Sequence, residues 1–150
     1  MKDTTTKAVK FVEETLKLLP EDNRDYGYFT KFLSAYETAS KLADTEEKEA
    51  ILYATAVKVA HQLASILFRF NLLTEEAEKA YREFPLPEEA EKEYHDIAEP
   101  RLNVVKDLKE KLAKTQDEQM EVDVFIQVVN GRSEEEAREK IAAYRNAGGE

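Results

Sequence analysis

Apolar and polar positions recur with a helical period along most of the chain. When residues are placed at about 100° per step, the apolar side chains of 4–19 fall on one half of the wheel and the charged ones on the other. Residues 26–43 divide in the same way. Both patterns predict amphipathic helices with one buried face. The first helix is expected to end at Pro20 and the polar run that follows it.

The most apolar part of the chain is 45–70. Its polar side chains form one narrow stripe on the wheel, made of Thr55, Lys58, Gln62, Ser65 and Arg69. Asp44 and Thr45 offer N-cap oxygens, and Glu47 stands three residues after Asp44, as in a capping box. We expect a helix that contacts neighbours around about two-thirds of its circumference and forms the centre of the fold.

The following segments predict shorter helices and one long one. A helix over 75–84 stops at the Pro85-Leu86-Pro87 run. The apolar faces on either side of Pro100 share one phase, which predicts a single kinked helix over 88–114 or two nearly collinear helices.

Two capping boxes divide the remainder of the chain. Thr115-x-x-Glu118 and Ser133-x-x-Glu136 predict helices over 116–130 and 134–147. The last helix has a thin apolar stripe and is expected to be weakly anchored; the stripe consists of Ala137, Ile141 and Tyr144.

The segment 122–129 also fits a strand. Its β-branched residues alternate up to an Asn130-Gly131 turn signal, at Val122, Val124, Ile126 and Val128. A lone strand in a helical chain has no partner for its hydrogen bonds unless a second copy supplies one. Helix is therefore favoured, and the strand remains an alternative.

Together these patterns predict an all-α fold. With no repeat and no linker in the chain, residues 1–150 are expected to form a single-domain antiparallel bundle of five to seven helices around the central apolar helix.

The composition indicates which cellular environment and which classes of partner suit the chain. The chain has 150 residues, no cysteine, and a formal net charge of −10. The lack of cysteine excludes disulfides and thiolate metal sites and favours a reducing, cytoplasmic location. The excess of acidic side chains makes nucleic acid an unfavourable partner. Lys58, His61 and Arg69 interrupt the apolar stretch of 45–70, so no membrane span is expected. No apolar signal segment opens the chain. The absence of tryptophan and the regular caps are also typical of a designed protein.

The two histidines are the candidate ligands for a metal. His61 falls at the border of the polar stripe, which predicts a half-buried ring. His95 falls on a solvated face between Glu91 and Glu99, one turn away on each side, and imidazole with carboxylates is a weak divalent-metal set. No tight metal or cofactor site is expected.

His61, the pair His95-Asp96 and then Asp123 resemble, in order, the H…HD…D pattern of HD-domain metal-dependent phosphohydrolases. The resemblance implies a metal centre built from these residues. In that family apolar residues precede the HD pair, whereas 91–94 here are mostly charged.

The chain is also similar to the globins. It is predicted to be helical and has 150 residues, with one histidine on a mid-chain helix and another further along. That resemblance implies a haem held by His61 or His95. Charged residues stand beside the second histidine, where a haem pocket is apolar.

No nucleophile motif or glycine-rich phosphate loop is present, so the sequence favours a non-enzymatic module for protein–protein interaction or self-association. The alternative is a protein that binds a small ligand or metal through His61 or His95. Candidate partner-binding residues are the tyrosines at the start of the second helix and the apolar segment near the C-terminus: Tyr26, Tyr28, Val122, Val124, Phe125, Ile126 and Val128.

Overall fold

The computed structural model describes the backbone of residues 2–105 and 109–147 and the side chains of 2–98 and 118–143. All regular structure in these residues is helical, which confirms the all-α prediction. Seven helices follow one another in this part of the chain: α1 (Lys2–Thr15), α2 (Tyr26–Leu42), α3 (Glu46–Arg69), α4 (Glu75–Tyr81), α5 (Pro87–Val105), α6 (Lys109–Val129) and α7 (Glu134–Ala147). A short 3₁₀ turn, Leu16–Leu18, extends α1.

Helix α3 is the centre of the bundle, as its pattern predicts. It contacts α1, α2, α4, α5 and α6. Thr45 caps its first turn, because the side-chain oxygen accepts a hydrogen bond from the backbone N–H of Lys48 at 3.2 Å. Asp44 instead pairs with the Lys48 ammonium at 3.1 Å.

Of the helices in the described ranges, α3 alone is long and apolar enough to cross a membrane by length and composition. Just over half of its most apolar window, 56%, is buried inside the bundle. The central helix of a helical core meets the same criteria, so the finding does not by itself indicate a membrane.

The apolar core has two main parts, which meet along α3. The first joins α1, the start of α2, the second half of α3, and Ala77 of α4. The second joins the end of α2, Ile51 and Leu52 near the start of α3, and the apolar face of α6 with Ala137 of α7. Tyr36 packs against both. A helix that serves both parts must be apolar on most of its circumference, which explains the narrow polar stripe of α3.

Helices α3 and α6 end in the same way. Asn71 and Gly131 both have positive φ, 58° and 99°. In α3 the N–H of Leu72 bonds to the carbonyl of Leu67 at 2.7 Å, and in α6 the N–H of Arg132 bonds to that of Gln127 at 3.1 Å. These are Schellman motifs, in which a left-handed residue allows the turn to satisfy the last carbonyls.

The segment 122–129 is helical, so the strand alternative is wrong. Val122, Phe125 and Val129 lie three or four residues apart, and all are buried. They belong to the part of the core that α6 forms with α2, α3 and α7. A helix enclosed on several sides accepts β-branched residues because packing outweighs their small helix penalty.

One predicted helix boundary is also wrong. Thr115 lies within α6, so the helix does not begin at the Thr115 capping box. Helix α5 continues through Pro100 to Val105, and α6 begins at Lys109. The choice between one kinked helix and two nearly collinear helices over 88–114 therefore falls on the residues between them. Residues 106–108 lie outside the described part of the chain.

In the described residues, α7 is held by the apolar side chains of Ala137 and Ile141 and by an ionic bridge to α6. Ser133 caps it by accepting the N–H of Glu136 at 3.2 Å, as predicted. Ala137 is buried and Ile141 half-buried, whereas the Tyr144 side chain is outside the described residues. Arg138 donates to both carboxylate oxygens of Glu121 on α6, at 2.8 and 3.0 Å.

Candidate functional site: a groove beside the central helix

A groove of about 500 Å³ runs between the start of α2 and the polar stripe of α3. Four of the five stripe residues line it, together with His61 and part of the α2 N-terminus. Its walls are Asp25, Tyr28, Phe29, Lys58, His61, Gln62, Ser65, Ile66, Arg69 and Pro87. We call this space the α2/α3 groove.

The α2/α3 groove is elongated because its residues follow one face of a helix. Lys58 and Arg69 stand three turns apart, which corresponds to about 16 Å at the α-helical rise. Both side chains are exposed, and neither forms an ion pair with another described residue. Buried Phe29 and half-buried Ile66 supply apolar wall between these two cations.

Tyr28 bridges the two helices that form the groove. Its hydroxyl donates a hydrogen bond to Oε1 of Gln62 at 3.0 Å. Its ring stacks edge-on against Phe29, with centroids 5.2 Å apart. Partial burial raises the pKa of the Tyr28 hydroxyl. The side chain is still 49% exposed, so an apolar ring edge faces the open groove.

His61 fixes the opposite wall. Its Nε2 lies 2.8 Å from the carbonyl oxygen of Pro85. Because a carbonyl can only accept, Nε2 carries the hydrogen in this contact. The ring also packs edge-on against Tyr81 at 5.2 Å. These contacts hold the Pro85-Leu86-Pro87 run against α3, where Pro87 lines the groove.

A second groove, of about 560 Å³, lies on the other side of the same stripe, between α3 and α4. It shares Ser65 and Arg69 with the first. Phe68 lines it and is 72% exposed, although it is a large apolar residue. Arg82 on the α4 side is paired with Glu78 at 2.6 Å.

No family model matches the chain. Neither a curated protein nor a solved structure matches it. No relative therefore supplies a function or a residue role.

The metal-ligand candidates do not form a cluster in the part of the chain that the structure describes. His95 is exposed and lies 3.6 Å from Glu91, while the Glu99 side chain is outside the described residues. His61 uses Nε2 to hold Pro85 on α3. In the described residues no three histidine or carboxylate side chains converge into a metal-binding group, so the arrangement implied by the HD-domain resemblance is not present there.

The partner-binding candidates divide into exposed and buried residues. Val122, Val124, Phe125 and Val128 are buried in the core and Ile126 is half-buried, so these side chains offer little surface in the folded chain. Their role in partner binding stays a prediction. Tyr26 is half-buried against the core, and only Tyr28 of the two tyrosines is exposed.

The sequence interpretation missed Phe68. It stands two turns after His61, so the two residues share almost the same direction on the helix. His61 is at the border of the polar stripe, and that position could have marked Phe68 as a border residue as well. The mostly apolar composition of α3 concealed this signal.

Proposed function

We propose that the chain is a non-enzymatic protein-interaction module that binds a helical segment of a partner protein along α3. The observation that carries this proposal is the α2/α3 groove itself, which is elongated along three helical turns and lined by exposed Tyr28. Exposed Phe68 lies in the adjoining groove, which shares Ser65 and Arg69 with it. An amphipathic helix in an apolar-walled groove is a common mode of peptide recognition.

The exposed aromatic side chains suit the role of anchors. Aromatic residues commonly dominate binding energy when a partner covers them. Phe68 is exposed at 72%, and covering it would remove its apolar surface from water, a gain of up to about 1.5–3 kcal/mol. Tyr28 adds an apolar ring held in place by its hydrogen bond to Gln62.

The proposal is tested by selection from a displayed library of random 16-residue peptides against the full chain. Enriched peptides are expected to bind at least about 10-fold more weakly to Phe68→Ala, the range typical of an interface anchor. Phe70→Ala is the matched control, because Phe70 is also 54% exposed but lines neither groove. Peptides that bind both variants like the parent, or a library that yields no binders, would contradict the proposal.

One observation favours a second candidate, a small-ligand protein. The groove volume of about 500 Å³ lies within the range of small-molecule sites, and His61 is in its wall. Native mass spectrometry of the purified chain decides this point. A retained mass that is lost in His61→Ala but kept in His95→Ala would support the ligand site. If the purified chain carries no retained mass, peptide binding is the proposal that stands.

A further inference from the structure

We infer that the segment bound in the α2/α3 groove is an amphipathic helix with a carboxylate near each end, which pair with Lys58 and Arg69. This inference rests on the proposed function and specifies the chemistry of the partner. It follows from two features of the groove, its charge and its length.

The charge of the groove differs in sign from the charge of the chain. The whole chain carries a net −10. The groove is lined by two cations, Lys58 and Arg69, and by one carboxylate, Asp25. Asp25 lies 3.8 Å from Nε of Arg24, so part of its charge is already compensated. The two cations thus face the open groove without a partner among the described residues.

The spacing of the cations sets the spacing of the carboxylates. A helix that lies along α3 has the same rise, so side chains eleven residues apart span about 16 Å. Eleven residues make slightly more than three turns, so both side chains also project from the same face. A partner helix with Glu or Asp at such positions reaches both cations while its intervening apolar residues cover Tyr28 and Ile66.

The net charge of the chain limits how acidic the partner can be. A strongly acidic segment would be repelled by the surrounding charge before contact. Lysine or arginine at the two end positions would instead meet a like charge at close range, which is unfavourable even near a protein surface. The favoured partner therefore has few charges, placed at the ends of its apolar face.

Three displayed libraries of 16-residue peptides test the inference. They are identical except that positions 3 and 14 are fixed as Glu, as Gln or as Lys. The full chain is expected to enrich the Glu library at least about 10-fold over the Lys library, as two contacts with a charged partner would give. The double variant Lys58→Glu/Arg69→Glu is expected to reverse this preference.

The control variant carries the same change of net charge at a distance from the groove. Lys17→Glu/Lys140→Glu alters two exposed lysines that do not line it and should keep the Glu preference. If the Gln or Lys library supplies the binders and they are lost in Phe68→Ala, the inference fails while the proposed function stands. If none of the libraries supplies binders, the proposed function fails as well.

Discussion

The imidazole of His61 on α3 holds the backbone of Pro85 in the loop between α4 and α5, with Nε2 and the carbonyl oxygen 2.8 Å apart. The residues are distant in sequence, and the contact brings a proline-rich connection against the middle of the central helix. Tyr81 packs on the same ring and so links α4 to the contact. His61 therefore joins the central helix to the connection that leads into Pro87 at the groove wall, where α5 also packs on α3.

Removal of this contact should loosen the connection between α4 and α5. His61→Ala leaves the half-buried Pro85 carbonyl without its donor, and we expect the free energy of unfolding to fall by about 1–2 kcal/mol. Amide hydrogen exchange of Phe84 and Leu86 should accelerate. His61→Gln places an amide nitrogen near the position of Nε2 and should restore part of the protection.

His95→Ala is the control for this experiment. His95 is exposed, and its contacts with Glu91 and with the adjacent Tyr94 ring lie at the surface. Its loss should therefore change stability by less than about 0.5 kcal/mol. Equal exchange in His61→Ala and the parent chain would show that the hydrogen bond does not hold the loop.

The burial of Phe125 leads to a second prediction. Its side chain is 2% exposed between α6 and the rest of the second core cluster. Phe125→Ala should lower the free energy of unfolding by about 3–5 kcal/mol, because the deletion leaves a cavity. Urea unfolding measures the change.

Phe68→Ala deletes the same atoms from an exposed site and should shift stability by less than about 0.5 kcal/mol. A Phe125→Ala variant as stable as Phe68→Ala would mean that 122–129 is available as a surface after all.

The ionic bridge between α6 and α7 predicts a dependence on pH. Hydrogen bonds from Arg138 lower the pKa of the Glu121 carboxyl below its ordinary value of 4.5. Between the lowered and the ordinary pKa, the unfolded chain binds more protons than the folded one, so stability falls as the pH decreases through that window. The carboxyl is 45% exposed, so we expect a contribution of about 1 kcal/mol at most.

Glu121→Gln should remove this contribution. Its stability at pH 7 is expected to fall, and its stability should change less between pH 7 and about pH 3 than that of the parent chain. Glu139→Gln, an exposed residue on α7, serves as the control and should follow the parent. Identical pH profiles for the parent and Glu121→Gln would show that the bridge does not stabilise the packing of α7.

The sequence predicts the centre of this fold and several of its helix ends. The polar stripe of α3 and the caps at Thr45 and Ser133 are local features, and the structure confirms them. The Thr115 box has the same local pattern but lies inside a helix, because a capping pattern cannot show that the preceding residues are also helical. The pattern of 122–129 is ambiguous because burial on several sides removes the polar face that distinguishes a helix from a strand.

The candidate site is less predictable because its parts come from separate helices. The stripe residues are visible in the sequence, but the wall opposite them depends on Tyr28 and on the Pro85 run. Nothing in the local pattern links His61 to a carbonyl in the loop between α4 and α5. The same limit applies to Arg138, whose partner Glu121 is on another helix.

The two glycines in the part of the chain that the structure describes should respond to alanine in opposite directions. Gly131 has φ +99°, and an added Cβ would lie 2.5 Å from Cε of Lys31. Gly131→Ala should therefore destabilise the chain by about 1–3 kcal/mol, through backbone strain and this contact. Gly27 is within α2 and an added Cβ would meet nothing within 4 Å, so Gly27→Ala should stabilise by about 0.4–1 kcal/mol.

Lys31→Ala separates the two causes at Gly131. If the contact contributes, Gly131→Ala should cost less in a Lys31→Ala background than in the parent chain, and the remaining loss measures the strain of a positive φ. Urea unfolding of the four chains in this double-mutant cycle provides the comparison. Because a lysine side chain can move aside at little cost, we expect the strain to account for most of the loss. A Gly131→Ala variant as stable as Gly27→Ala would contradict the left-handed turn that ends α6 and joins it to α7.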